Sequence, residues 1–322
     1  MHRINSIQCV NNSYLSVNWD FPLSSFDNPI FLCVISHTET SKIPGITIAG
    51  ENPDLIAYTP PADAEFLYYG HCKCIDAIPV TPDGKPTPAL ITRVALKLSN
   101  IPFLVIDSGA AIKPNIPYLS FNTPSGNNIQ LENALDISHV KNAFEYGKLI
   151  GIQFAKSHDH VIIGESIPGG TTTALGVLCA LGIDASFKVS SSMPENPHNL
   201  KNQIISQAMD NANATKEQLR KNPLLAISLF GDPMMPAIAG IAYGVVNSGG
   251  KVLLAGGTQM CSIIAILKYL QYPIKGISIG TTSFVANDPS SSLVDIVTQI
   301  SDQVPVYVID LPFIQSSKAG LQ

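Results

Sequence analysis

The chain has 322 residues, 45% of them hydrophobic and 13% charged, with a formal net charge of −5. That is enough for one large buried core, and it leaves Ser, Thr, Asn and Gln to keep the surface wet. It excludes an electrostatic grip on nucleic acid, because no run of Lys or Arg is present, and no stretch of about 18 apolar residues is available to span a membrane.

Residues 1–30 are polar, carry the single Trp19 and lack the apolar centre of a signal peptide. They read as an appended strand or arm, and the expected location is the cytoplasm. Cys9, Cys33, Cys179 and Cys261 lie in apolar runs, where reduced thiols behave as small hydrophobes. Cys72 and Cys74, beside His71, make half of a zinc pattern with no second half at the right spacing.

From residue 31 onward, short β-branched runs alternate with segments of helical period. Strands are expected at 31–36, 101–106, 161–163, 224–229, 252–255, 274–279 and 304–309. Most are continuous apolar runs, as strands buried on both faces of a parallel sheet are. Helices are expected at 140–156, 172–181, 200–220, 236–247, 262–269 and 292–300. Asp288-Pro289 reads as a cap and first-turn pair, and Gly249-Gly250 as a helix end. The fold class is therefore α/β: a doubly wound, mostly parallel, Rossmann-like sheet in one domain over 1–322. Residues 38–88, rich in Pro and Gly, read as a smaller loop-rich lobe packed on that sheet, either covering a site or serving structure alone.

The strongest local signal runs from His160 to Gly176, where an apolar strand passes through a Gly/Ser/Thr loop directly into a helix. Gly164 and Glu165 follow the strand, and Gly169 and Gly170 let backbone approach an anion. Thr171, Thr172 and Thr173 offer hydroxyls beside the free N–H groups of a helix start. The loop lacks GK[ST] and is not GxGxxG, so it is neither a P-loop nor a dinucleotide fingerprint. A Thr-capped tight turn is the bland alternative. Glu165 argues against it, because a carboxylate beside an anion site needs a use such as a ribose hydroxyl or a reacting proton.

Two further corners repeat the pattern. Gly231 and Asp232 are expected between a strand and a helix, and Gly256, Gly257, Thr258 and Gln259 likewise. Asp107 and Ser108 end another strand, where Asp107 either serves a site or caps the next loop. His158 and His160 flank a strand start and read as solvated loop residues. No HxxxH or HExxH is present, so a metal is not indicated.

Together these segments resemble the nicotinate-nucleotide–dimethylbenzimidazole phosphoribosyltransferase family, in its archaeal and cyanobacterial branch. Bacterial members carry GEMGIGNTT where this chain has Gly164-Glu165-Ser-Ile-Pro-Gly169-Gly170-Thr171-Thr172. The Gly231-Asp232 corner and LLAGGTQMCSIIAIL are similar to later corners of the family. Asp107-Ser108-Gly stands where bacterial relatives have Asp-His-Gly, and Lys201 resembles an active-site lysine. The likeness covers about 85–322.

The resemblance implies phosphoribosyl transfer from nicotinate mononucleotide to a benzimidazole or purine base, giving the lower-ligand nucleotide of cobamides, by a homodimer without cofactor. It places Glu165 as a catalytic residue and Asp107 and Ser108 in the base pocket. The nucleotide would be held by Gly164, Gly169, Gly170, Thr171, Thr172, Lys201, Gly231, Asp232, Gly256, Gly257 and Thr258. Family members also carry a Glu in a Gly-rich loop near the C-terminus, and 316–322 contain no such residue. A non-catalytic nucleotide-binding protein of the same fold is thus the alternative expectation.

Overall fold

The computed structural model describes residues 7–9 and 28–311. Trp19 and the C-terminal tail, on which two of the expectations above rest, lie outside the described residues. Eight strands form one sheet: β1 (Ile7–Cys9), β2 (Pro29–Ile35), β3 (Phe103–Asp107), β4 (Leu119–Ser120), β5 (His160–Ser166), β6 (Lys251–Ala255), β7 (Ile277–Thr282) and β8 (Val306–Ile309). Their order is β1-β8-β7-β6-β5-β2-β3-β4. Strands β2 to β8 are parallel, and β1 pairs antiparallel with β8 at the edge. The fold class expected from the alternating runs is the one observed.

The helices are α1 (Thr59–Tyr69), α2 (Ala89–Ser99), α3 (Ile137–Phe154), α4 (Gly170–Ala180), α5 (His198–Asn211), α6 (Lys216–Lys221), α7 (Pro223–Phe230), α8 (Met234–Asn247), α9 (Met260–Tyr269), α10 (Ser283–Ala286) and α11 (Leu293–Ile300). Alternate residues of each strand serve opposite faces. Leu32, Val34, Val161 and Ile163 join the large core with α3, α4, α8 and α9. Phe31, Cys33 and Ile35 meet α1 and α2 in a smaller one. Over β6 to β8 that second face is only half-buried at Leu253, Ala255, Ser278 and Gly280, so these strands alternate where continuous burial was expected.

Several local expectations change. Residues 224–229 form helix α7, not a strand. A short all-apolar run looks the same in a buried helix and a buried strand, and Pro223 at the first helical position sets the helix geometry. The long helix expected at 200–220 is two, broken at 212–215, with Thr215 and Gln218 forming a capping box for α6. Asp288 accepts from Ser290 N at 2.8 Å in a turn, and α11 starts only at Leu293. His160 is buried, not solvated.

The 38–88 lobe is more regular than its Pro and Gly content implies. Two prolines in the first turn start α1, and Gly70, at φ 78°, closes it in the left-handed conformation. Helices α3 and α8 touch backbone to backbone through Gly147, Gly151, Gly240 and Gly244. A Cβ on Gly244 would run into Lys148 O, and one on Gly151 into Ile241 O.

The chain leaves β2 outward to β3 and β4, then returns to β5 and continues the other way. Crossovers therefore diverge between β2 and β5 and open a crevice at their carboxyl ends, where ligands of such sheets bind.

Candidate active site

A cavity of about 740 Å³ occupies this crevice. Its polar wall is the loop expected from sequence. Gly164, Glu165, Ser166, Gly169, Gly170 and Thr171 line it, as do Gly257, Gln259 and the Ser190–Ser192 backbone turn. Gly169 adopts φ 72° and caps α4, where the Gly170 N–H reaches Ile167 O at 3.4 Å and the Thr172 N–H bonds Gly169 O at 2.9 Å. At Gly170 a Cβ would stand 2.8 Å from Ile167 Cγ2 and 3.2 Å from Gln259 Oε1, so only glycine leaves the backbone open here. The helix dipole and the Thr171 hydroxyl make this loop a candidate anion cradle.

Glu165 and Ser166 are adjacent on β5 and leave opposite faces of the sheet. Glu165 turns toward the start of α9, where Gln259 Nε2 donates to its carboxylate. Burial first, then the neighbouring charges of Asp232 and Asp63, push Glu165 up to about 8. Burial likewise raises Asp232 to about 6 against hydrogen bonds from Thr173 and the Met235 N–H. Ser166 turns the other way and donates to Asp63 Oδ2 at 2.8 Å. The second oxygen of Asp63 accepts from Thr87 Oγ1 at 2.7 Å. Burial raises Asp63 to about 6 despite these two donors.

The remaining residues expected from sequence fall into two groups. Lys201 and Thr258 do not line the cavity but converge on Ser190, which does. Lys201 Nζ donates to Ser190 O at 2.8 Å and Asn196 Oδ1 at 3.1 Å, and Thr258 Oγ1 accepts from Ser190 N at 2.9 Å. Burial lowers Lys201 to about 8. These two residues position the 190–196 loop.

Thr172, Gly231, Asp232 and Gly256 also stand behind the lining. Asp232 is not at a strand-to-helix corner but between α7 and α8, reaching the site by accepting from Thr173 Oγ1 at 2.6 Å. Thr172 Oγ1 is buried with no hydrogen-bond partner among the described residues.

Asp107 and Ser108 lie outside the cavity. Asp107 is satisfied structurally, accepting from Gly109 N at 3.0 Å, Ala110 N at 2.8 Å and Lys113 Nζ at 2.6 Å, which is the capping alternative. Cys72 Sγ donates to Ala62 O, and Cys74 N donates to Glu65, so the pair belongs to a turn pinned on α1. Among the described residues no group of three or more His, Cys, Asp or Glu is placed to hold a metal, and no helix is long and apolar enough to cross a membrane.

Asp63 is the site residue that sequence reading missed. Its signal was faint: one of two acids, with Glu65, in a helix whose other residues at 60–67 are apolar and buried.

The family model for Phosphoribosyltransferase matches residues 90–276, more than half of the chain and the whole of the cradle. The chain belongs to this phosphoribosyltransferase family. The match bears out the resemblance carried by Gly164, Glu165, Gly169, Gly170, Thr171 and Thr172.

Relatives include a UPF0284 protein of Methanothermobacter thermautotrophicus, 42% identical over 91% of this chain and 81% of its own length. Another, from Archaeoglobus fulgidus, is 48% identical over 82% of this chain and 74% of its own. Among solved structures, the nicotinate-nucleotide–dimethylbenzimidazole phosphoribosyltransferase of Thermus thermophilus shares the fold. It superposes with a TM-score of 0.64 at 15% identity, covering 89% of this chain and 76% of that one. Asp63 precedes the stretch that the family model matches.

Proposed function

We propose that the chain transfers the phosphoribosyl group of nicotinate mononucleotide to a benzimidazole or purine base. One observation carries this reading: the anion cradle at Gly169–Thr171 opens into the same cavity as an apolar slot, with carboxylates where the two meet. A nucleotide 5′-phosphate fits the first and a flat aromatic base the second. The printed name of the Thermus thermophilus neighbour supports the choice of substrates.

The reaction suits such a site. The pyridinium nitrogen of nicotinate mononucleotide is already cationic, so nicotinate leaves without a general acid. The protein must hold the phosphate, orient the ribose and accept one proton from the incoming base. Glu165, held protonated near neutral pH by burial and by Asp232, donates a hydrogen bond to the ribose in this reading. The partners are small molecules, the assembly a homodimer and the location the cytoplasm.

Incubation with nicotinate mononucleotide and dimethylbenzimidazole tests it. Mass spectrometry should find free nicotinate and a ribosylated benzimidazole 5′-phosphate in equal amounts. Nucleotide binding without nicotinate release would instead establish a non-catalytic binding protein.

A further inference from the structure

We infer that Asp63, on helix α1 of the 38–88 lobe, is a catalytic residue that takes the proton from the acceptor base. The inference rests on the transfer reaction proposed above.

The two halves of the cavity lie on different sides of β5. The apolar slot is formed by Phe31 and Cys33 of β2, Ile162 of β5, Leu67 of α1, and Ala95 and Leu96 of α2. All lie on the sheet face that α1 and α2 cover. Glu165 points to the opposite face, toward Gln259 and Asp232. Asp63 stands on the slot's own side and is tied to both halves. It accepts from Ser166 of the cradle strand and from Thr87, which precedes α2. A flat ring held against Phe31 and Ile162 presents its edge to Asp63, with the ribose of a nucleotide in the cradle beyond it.

Charge decides which ring this slot takes. Nicotinate bears its own carboxylate, and a buried carboxylate among apolar side chains repels it. A neutral azole with an N–H fits. Each oxygen of Asp63 already accepts one hydrogen bond, which fixes the carboxylate and leaves a lone pair on each for the ring N–H.

The step balances. The unprotonated azole nitrogen forms the new bond to C1′ as the C1′–pyridinium bond breaks, and that electron pair neutralises the ring nitrogen of nicotinate, which departs as its carboxylate anion. The proton on the second azole nitrogen passes to Asp63 and then to solvent. At neutral pH Asp63 is the carboxylate of the pair available for this, since Glu165 is raised to about 8 and Asp63 only to about 6. The titratable groups whose charge couples to Asp63 are Cys33 of β2 and Cys72 of the turn after α1 on its own side of the sheet, and Glu165 across β5.

The test uses Asp63→Asn and Asp63→Glu with nicotinate mononucleotide and dimethylbenzimidazole. Asp63→Asn should lower kcat ~10²-fold or more while the nucleotide Kd, read by calorimetry, stays near wild type. Asp63→Glu should restore part of the rate. A kcat for Asp63→Asn within a few-fold of wild type overturns the assignment.

A second measurement needs no variant. With a nitro-substituted benzimidazole, too weakly basic to protonate in the range studied, the wild-type single-turnover rate should fall as pH drops through about 6. A flat rate across that range also overturns it. Absence of transfer by the wild-type protein removes the proposed function and this inference together. Transfer by wild type and Asp63→Asn alike removes only the inference.

Discussion

Ser166 Oγ lies 2.8 Å from Asp63 Oδ2, a hydrogen bond between residues 103 apart in sequence. It joins the end of β5 to helix α1, and so the cradle to the lobe. Ser166→Ala removes a donor to a charged, buried acceptor and should cost about 1.5–3 kcal/mol of stability. Because the lost bond favoured the ionised carboxylate, Asp63 should titrate higher than in wild type. Chemical denaturation and the acid limb of the rate profile check the two effects.

Gly170→Asp should abolish nucleotide binding. Even its Cβ would meet Ile167 and Gln259, and its charge would stand where a phosphate must sit, beside Glu165. Unchanged affinity for nicotinate mononucleotide in a folded variant counts against the cradle.

Stability should fall as pH rises through the neutral range. Glu165 titrates at about 8 in the folded protein against 4.5 as its ordinary value. The native state therefore keeps a proton that the unfolded chain releases, and unfolding is increasingly favoured from about 4.5 to about 8. Asp63 and Asp232 act in the same sense between 3.8 and about 6. Glu165→Gln should leave melting at pH 5 near wild type and raise it at pH 8. Asp232→Asn removes a like charge and should move Glu165 down. Melting curves at the two pH values decide it; an equal shift at both argues against the buried acid.

Lys201→Met keeps the bulk of the side chain but strips the donor from Ser190 O and Asn196 Oδ1. Leaving a buried carbonyl unsatisfied costs about 1–3 kcal/mol. Because Lys201 acts through the 190–196 loop, the variant should bind nicotinate mononucleotide more weakly with a smaller change in kcat. A kcat collapse at unchanged KM would instead put Lys201 at the reacting atoms.

Gly244→Ala tests the packing of α3 on α8. Its added Cβ meets the Lys148 carbonyl, so the helices must separate, at about 1–3 kcal/mol for an overpacked core. Thermal unfolding should show the loss, with ligand affinity little changed in the folded fraction.

The sequence by itself determined the sheet and the local form of the proposed cradle. Apolar runs at β2 and β5 pack against both sides of a parallel sheet, and the Gly169-Gly170-Thr171 entry to α4 is a local device, complete within a few residues. It did not determine α7, because complete burial erases the difference between helical and strand period around Ile227. Nor did it assign Asp107 or Lys201. Whether a strand-end acid caps its own loop or faces a ligand depends on which backbone groups the fold brings within hydrogen-bond reach. Tertiary structure alone brought Asp63 to the site. A carboxylate in a short helix carries no local mark of its partners until the strand order sets β5 beside β2 and α1 over both. Its donors are then Thr87 and Ser166, 24 and 103 residues away. Local chemistry is written in neighbouring residues, whereas the meeting of distant polar groups is decided by the packing of the whole chain.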